Sequence, residues 1–240
     1  METQTLDIEK LAKDFDTKTA EQVLEWALNE FGTDIALASS FGLEDVACID
    51  LMCKVNKAKT RIFTLDTGRL NPETYEVMER IRERYQIDFE VYFPNTDKAE
   101  QLTRGKGFFS FYTSIENRKE CCGIRKVEPL KRALSHYKGW ITGLRREQAV
   151  TRASLPKIEL DPAFGNIIKF NPIADWTEKQ TWDYVKKNDV PYNRLHDMGY
   201  PSIGCAPCTR AIKPGEDVRA GRWWWENPDS KECGLHVKQH

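Results

Sequence analysis

The chain of 240 residues is 40% apolar and 30% charged, the balance of an ordinary globular protein, and no uncharged apolar run approaches the roughly 18 residues that span a bilayer. Thirty-six Lys and Arg residues against 37 Asp and Glu leave a formal charge of −1, which excludes a global positive field for holding nucleic acid. Any anion site must be local.

Along the chain, helical and strand patterns alternate. Residues 6–31 carry apolar positions at helical spacing (Leu11, Phe15, Val23, Leu24, Ala27, Phe31), and Thr19 with Gln22 has the spacing of a capping box, so two N-terminal helices are predicted. The apolar run Ile35-Ala-Leu-Ala-Ser-Ser40 then predicts a strand, a loop at Phe41-Gly42 and a helix through Cys53. Arg61–Leu65 repeats the strand pattern, and Asn71-Pro72 supplies a cap and first-turn proline for a helix over Glu73–Tyr85. Phe89–Phe93 reads as a third strand, Cys122–Leu134 as a helix and Trp140–Gly143 as a fourth strand. A further strand is expected at Ile167–Phe170 and a helix from the Thr177/Gln180 cap to about Asn188. This alternation implies βαβ units: an α/β fold with a mainly parallel sheet, helices on both faces and ligands at the carboxyl ends of strands. Three loops meet that condition, at Ser39–Gly42, Asp66–Arg69 and Gly143–Gln148.

Cysteine usage is the unusual feature. Seven cysteines stand at 48, 53, 121, 122, 205, 208 and 233, and the N-terminal residues lack the basic-then-apolar order of a secretory signal. A reducing cytoplasm is therefore expected, where Cys-Cys and Cys-x-x-Cys pairs serve metals or catalysis rather than a disulfide framework. Cys121-Cys122, expected to open a helix, and Cys205-Ala-Pro-Cys208 form two close pairs that suggest a four-thiolate site; two unrelated pairs of buried thiols, or a redox dithiol at 205/208, are the alternatives. Adjacent helical cysteines diverge by about 100°, which suits the several irons of a [4Fe–4S] cluster better than one zinc ion, although spacing alone separates neither. Lys126 follows Cys122 by one helical turn, where an ammonium could offset the charge of the site. Cys233, in the tail Lys231-Glu-Cys-Gly-Leu-His236, is a candidate nucleophile; Cys48 and Cys53, on an apolar helix, read as small core residues. Arg145, Arg146, Arg152, Arg219 and Arg222 lie in loops and are candidate ligands for a dianion, whereas at least two of Trp223-Trp224-Trp225 are expected to pack the tail.

Several ordered segments together resemble the assimilatory adenylyl-sulfate (APS) reductase family: Cys121-Cys-Gly-Ile-Arg-Lys-Val-Glu-Pro-Leu130, Gly143-Leu-Arg-Arg-Glu-Gln148, Ser202-Ile-Gly-Cys-Ala-Pro-Cys-Thr209, Gly221-Arg-Trp-Trp-Trp225 and Lys231-Glu-Cys-Gly-Leu-His236. The resemblance implies an adenine-nucleotide α-hydrolase-like fold, with N-terminal helices over 1–33, a nucleotide-binding α/β region over 34–200, and the cysteine loop and catalytic tail over 201–240, all in one structural domain. It implies reduction of adenosine 5′-phosphosulfate to sulfite and AMP in sulfate assimilation, with thioredoxin or a glutaredoxin-like protein as reductant. One [4Fe–4S] cluster per subunit would be held by Cys121, Cys122, Cys205 and Cys208, with Lys126 between cluster and substrate. Cys233 would be the nucleophile, forming an S-sulfocysteine, with His236 orienting the tail. Ser39, Ser40, Phe41, Gly42 and Gly143 would line the nucleotide, Leu65 would lie near adenine, and Arg152, Arg219 and Arg222 would hold the phosphate and sulfate. Neither a nucleic-acid nor a membrane partner is expected, and a homo-oligomer is compatible with the sequence without being specified by it. The related phosphoadenylyl-sulfate (PAPS) reductases share the nucleotide loops and C-terminal cysteine but typically lack the other four cysteines. An RNA-thiolating ATPase would carry Ser-Gly-Gly-x-Asp-Ser where this chain has Ser40-Phe-Gly-Leu-Glu-Asp45, and a zinc-stabilised binding module without catalysis is the third alternative.

Overall fold

A computed structural model describes residues 6–149 and 152–227. The N-terminal helices α1 (Ile8–Asp16) and α2 (Ala20–Phe31) start at side-chain caps. Asp7 accepts from the Lys10 amide at 3.0 Å, and Thr19 and Gln22 exchange the two reciprocal bonds of a capping box, at 2.9 and 3.3 Å. The chain continues through β1 (Ile35–Ser39), α3 (Leu43–Asn56), β2 (Ile62–Leu65), α4 (Pro72–Tyr85), β3 (Glu90–Tyr92), α5 (Thr96–Lys106), α6 (Ile115–Cys122) and α7 (Glu128–Leu134). It ends with β4 (Gly139–Ile141), β5 (Ile158–Asp161), β6 (Ile167–Phe170) and α8 (Glu178–Lys187), the last opened by the expected Thr177/Gln180 capping box.

The strands form one sheet of order β3-β2-β1-β4-β6-β5. β1 runs parallel to β4, β4 to β6 and β2 to β3, which agrees with the βαβ reading. Two elements depart from the sequence expectation. β5 is antiparallel to β6, with Ile158 opposite Phe170, which makes the sheet mixed. Its four residues sit between Pro156 and Pro162 and leave Leu160 45% exposed, the profile of an edge strand with too few apolar residues to signal itself. α5 escaped notice because Leu102 is its single buried residue; the Asn95 side chain, which accepts from the Lys98 amide at 3.0 Å, caps it.

The chain divides into two compact units, each assembled from separate segments. The first takes the chain up to Ser39, then Leu43–Ile62 and His136–Val190. Its core is built from Phe15, Leu24, Ile35, Val46, Ile49, Trp140 and Phe170, all 1% exposed or less. Trp26 meets Phe15 edge-on at 5.1 Å, and Phe31 meets Phe170 at 5.9 Å. The second unit takes Ser40–Gly42, Phe63–Ser135 and the chain from Pro191 onward, and buries Phe63 of β2 and Val77 and Ile81 of α4. Among the described residues, no helix is long and apolar enough to cross a membrane.

Cys48 is fully buried in α3, and burial pushes its thiol well above the ordinary value. Burial, with Asp50 adding repulsion, raises Cys53 to about 11. Both therefore stay protonated and unreactive at neutral pH. Iodoacetamide at neutral pH is expected to leave both unmodified in the native protein, with Cys53 labelling increasing only as the pH is raised towards about 11; peptide mapping that found either one alkylated near pH 7 would contradict this.

Candidate active site

The paired cysteines end a helix rather than open one. Ser114 caps α6 by accepting from the Asn117 amide at 3.1 Å, and the helix runs from Ile115 to its last residue, Cys122. A π-helical turn, Gly123–Val127, follows, with the Glu128 N–H donating to the Gly123 carbonyl, before α7 begins. Pro129, in the first turn of α7, has no N–H to give the Arg125 carbonyl, and its ring would crowd that carbonyl in a regular helix. The wider turn sits where that conflict falls, and π-turns of this kind favour functional sites. Lys126 thus lies within the π-turn, not one regular helical turn beyond Cys122.

Cys205 and Cys208 flank a short 3-10 turn, Ala206–Cys208, in which the Cys208 amide donates to the Cys205 carbonyl at 2.9 Å. Two segments clamp this turn. On one side, the Ala206 amide donates to the Arg69 carbonyl at 2.8 Å, and Asn71 Nδ2 donates to the Gly204 carbonyl at 3.2 Å. On the other, the Trp223 amide donates to the Cys208 carbonyl at 3.1 Å, and Arg222 pairs antiparallel with Thr209. A Cβ at Gly204 would come within 2.5 Å of Arg222 Nη2, so any other residue there would displace that guanidinium.

The four cysteines line one solvent-open recess, whose empty volume is about 300 Å³, together with Arg69, Phe111, Arg118, Arg125 and Lys126. Their thiols differ sharply. Burial alone would raise Cys205, but Lys126, the hydrogen-bonded Thr67 hydroxyl at 3.2 Å, Arg222 and Arg69 outweigh it and hold the thiol below its ordinary value. Burial raises Cys121 despite Arg69 and Arg125. Burial and the neighbouring Cys205 and Cys122 push Cys208 up to about 12. The recess thus favours a thiolate at Cys205 over one at Cys121 or Cys208, and a bound cation or cluster would help displace the protons of those two. Its donor set is sulfur alone, flanked by the four cationic side chains of Arg69, Arg118, Arg125 and Lys126, which suits a soft metal or an iron–sulfur centre. Among the described residues, no three of His, Cys, Asp or Glu converge on the position of a single ion.

The end of the described chain is anchored to the cysteine helix. Arg118, one turn before Cys121 on α6, makes a bidentate pair with Glu226 at 2.9 and 2.8 Å, the two side chains being 1% and 3% exposed. Trp223, 1% exposed, lies between the guanidinium groups of Arg118 and Arg222, at 4.7 and 4.8 Å from its ring. Trp225 packs on Tyr112 at 4.4 Å and against the cluster of Leu102, Phe111 and Cys121, while Trp224 stays 39% exposed. Two of the three tryptophans therefore pack, as expected.

Among the other candidates, Ser40, Phe41 and Gly42 form a loop of the second unit, where Phe41 adopts a left-handed φ of +56° while its ring is fully buried against Phe89 at 5.2 Å. Backbone strain at a non-glycine residue of this kind clusters at ligand-binding loops. Leu65 ends β2, half-buried, and Arg219 is half-buried in the same unit. Ser39, Gly143 and Arg152 belong to the first unit, where a Cβ on Gly143 would lie 2.6 Å from Asp45 Oδ1. Arg152 Nη1 donates to Gln148 Oε1 at 2.7 Å. Two of the loop arginines are engaged within the protein: Arg145 is held by Glu44 and Glu147 at 2.8 and 3.0 Å, and Arg146 by Asp16 and the Leu155 carbonyl at 2.6 and 2.8 Å. Cys233 and His236 lie outside the described residues.

Residues 34–211 match the family model of the phosphoadenosine phosphosulfate reductase domain. The chain belongs to the phosphoadenosine phosphosulfate reductase family. It is 52% identical over 205 residues to the adenosine 5′-phosphosulfate reductase of Allochromatium vinosum, covering 85% of this chain and 79% of that one. The crystal structure of phosphoadenylyl-sulfate reductase from Candida auris, a phosphate complex, superposes with a TM-score of 0.74 at 28% identity, over 88% of this chain and 99% of that one. FMN adenylyltransferase of Candida glabrata shares the fold alone, with a TM-score of 0.55 at 13% identity, over 94% of this chain and 76% of that one.

In this member of the phosphoadenosine phosphosulfate reductase family, the second unit brings Cys121, Cys122, Cys205, Cys208 and Lys126 to one recess, with Arg222 acting on Cys205. Sequence reasoning marked the Asp66–Arg69 loop without assigning roles to Thr67 and Arg69, and missed Arg118, Arg125 and Glu226. The available signal was the position of Asp66–Arg69 at the carboxyl end of a predicted strand; nothing local marked Arg118 or Glu226. Removing one partner of a buried ion pair strands the other charge, so Glu226→Ala is expected to cost about 3 kcal/mol or more. A urea midpoint that falls at unchanged m-value checks this.

Proposed function

We propose that the protein reduces adenosine 5′-phosphosulfate to sulfite and AMP, with a thioredoxin-like dithiol protein as donor and one [4Fe–4S] cluster on Cys121, Cys122, Cys205 and Cys208. The observation that carries this reading is the meeting of two cysteine pairs, far apart in sequence, in one cation-flanked recess. A 52%-identical relative named adenosine 5′-phosphosulfate reductase supports the substrate. The divergence of the two adjacent helical cysteines favours a polynuclear centre over zinc. Bound there, the cluster would supply a polarising centre beside the anionic groups of the substrate.

The residues of the chain do the rest. The Cys233 thiolate attacks the sulfur of the sulfate group; an S–S bond forms, the S–O bond to AMP breaks, and AMP leaves with its electron pair. A thiolate approaching a sulfate meets like charge, and Lys126 and Arg222, two of the cations acting on Cys205, would offset it. Arg219 assists on the phosphate, and Ser40, Phe41 and Gly42 follow the nucleotide. A donor thiolate then attacks Cys233 Sγ, sulfite departs with the S–S electron pair, and the second donor thiol resolves the mixed disulfide. The donor dithiol becomes a disulfide, its two electrons leave with sulfite, and Cys233 is restored. His236 orients the tail in this scheme. A reducing cytoplasm would keep Cys233 free between turnovers.

Incubation with substrate and no reductant is expected to add one SO₃ group to the protein, mapped to Cys233. Cys233→Ser should lose that addition while retaining bound iron and visible absorption, whereas Cys205→Ser should lose the iron. An SO₃ adduct elsewhere, or a colourless zinc protein, overturns the corresponding half of the reading. Steady-state kinetics with both nucleotides are expected to give the higher kcat/KM for adenosine 5′-phosphosulfate; the reverse order would assign the protein to the 3′-phosphorylated substrate.

A further inference from the structure

We propose that the exposed aromatic surface of Phe108, Phe109, Tyr112 and Trp224 is the docking site of the dithiol protein that reduces this enzyme, an inference resting on the function proposed above. These rings are 68%, 64%, 40% and 39% exposed, among the largest exposed hydrophobic side chains of the protein. Three of them adjoin through ring contacts, and Phe108 precedes Phe109 in the chain. Phe109 stacks on Tyr112 at 6.2 Å, and Tyr112 meets Trp224 edge-on at 6.2 Å. Adjoining exposed aromatic rings mark interaction sites, because their hydration is costly unless a partner removes it.

The position of the surface selects the partner. The Tyr112 hydroxyl donates to the Pro207 carbonyl, inside the Cys205–Cys208 turn, and Tyr112 also packs on Trp225. Trp224 and Trp225 immediately precede Glu226, which Arg118 locks in place. Described structure ends at Asn227, and Cys233 follows six residues later, so covalent geometry confines its Cα to within roughly 20 Å of Asn227. A protein thiolate that attacks Cys233 Sγ must bring its own surface to that region. A standard interface covers about 800 Å² on each partner, a disc roughly 32 Å across, comparable with the roughly 30 Å that nine residues of extended chain allow between Trp224 and Cys233. The fitting partner is a folded protein whose nucleophilic cysteine is ringed by apolar surface. A small dithiol would need no such dock.

The test uses the full-length holoenzyme and a Phe108→Ser/Phe109→Ser double variant, with thioredoxin as the probe protein and dithiothreitol as the small dithiol. The double variant is expected to raise the KM for thioredoxin roughly tenfold or more. Turnover with dithiothreitol and the single-turnover rate of SO₃ transfer to Cys233 should not change. An unchanged KM for thioredoxin overturns the proposal. A parallel loss of SO₃ transfer or of dithiothreitol-driven turnover also overturns it, because the surface would then serve the tail of the chain itself. If the double variant does not fold, Phe108→Ser alone carries the same comparison. Absence of any SO₃ adduct on unaltered protein would remove the proposed function and this dock together; an adduct with an unmoved KM removes the dock alone.

Discussion

Thiols packed into one recess resist ionisation together, since each thiolate raises the next, and the surroundings of the cysteines follow from that constraint. Cys205 is held down by a lysine, a hydroxyl and two arginines, while Cys208 is pushed up to about 12 by burial and its neighbours. A centre that binds all four must supply positive charge, and the protein adds Arg69, Arg125 and Lys126 around it. Those cations need scaffolding of their own. Arg125 donates to the Thr67 carbonyl at 2.7 Å, and Arg69 lies over the ring of Phe111 at 4.9 Å, so neither guanidinium depends on a bound group for its position.

The loop after β2 is the hub of this arrangement. The Thr67 hydroxyl reaches Cys205, the Thr67 carbonyl takes Arg125, and the Arg69 carbonyl takes the Ala206 amide. The loop is stiffened from within, where Asp66 Oδ1 accepts from the Gly68 amide at 2.8 Å and from the Tyr75 hydroxyl at 3.0 Å. A strand end in a parallel sheet offers unpaired backbone groups of this kind, which is the general reason ligands gather there. Here the same groups also hold the cysteine turn.

The buried Arg118–Glu226 pair extends the order of α6 to the end of the described chain. Burying two charges costs desolvation energy that a bidentate geometry with aromatic stacking offsets, so the net gain in stability is small even though losing one partner is severe. Its structural return is registration: the segment entering the tail is fixed against the helix that carries Cys121 and Cys122.

The sequence by itself determined the two N-terminal helices, the βαβ alternation and the separation of the two cysteine pairs from Cys48 and Cys53, because capping spacing, apolar periodicity and cysteine spacing are local. Thr19/Gln22 and Thr177/Gln180 cap helices as their spacing requires. Cys48 and Cys53 are inert for the reason their helix predicts, burial among apolar neighbours. Where a weak strand or helix depends on an edge position or a polar surface, as for β5 and α5, the local signal is absent. Only tertiary structure decided which charges line the recess. Arg145 and Arg146 looked as suitable as Arg222 in sequence, yet Glu44, Glu147 and Asp16 take them, while Arg69, Arg118 and Arg125 enter the recess from elements with no distinguishing motif. The partner of a charge is set by contacts across many residues, and spacing along the chain carries no record of them.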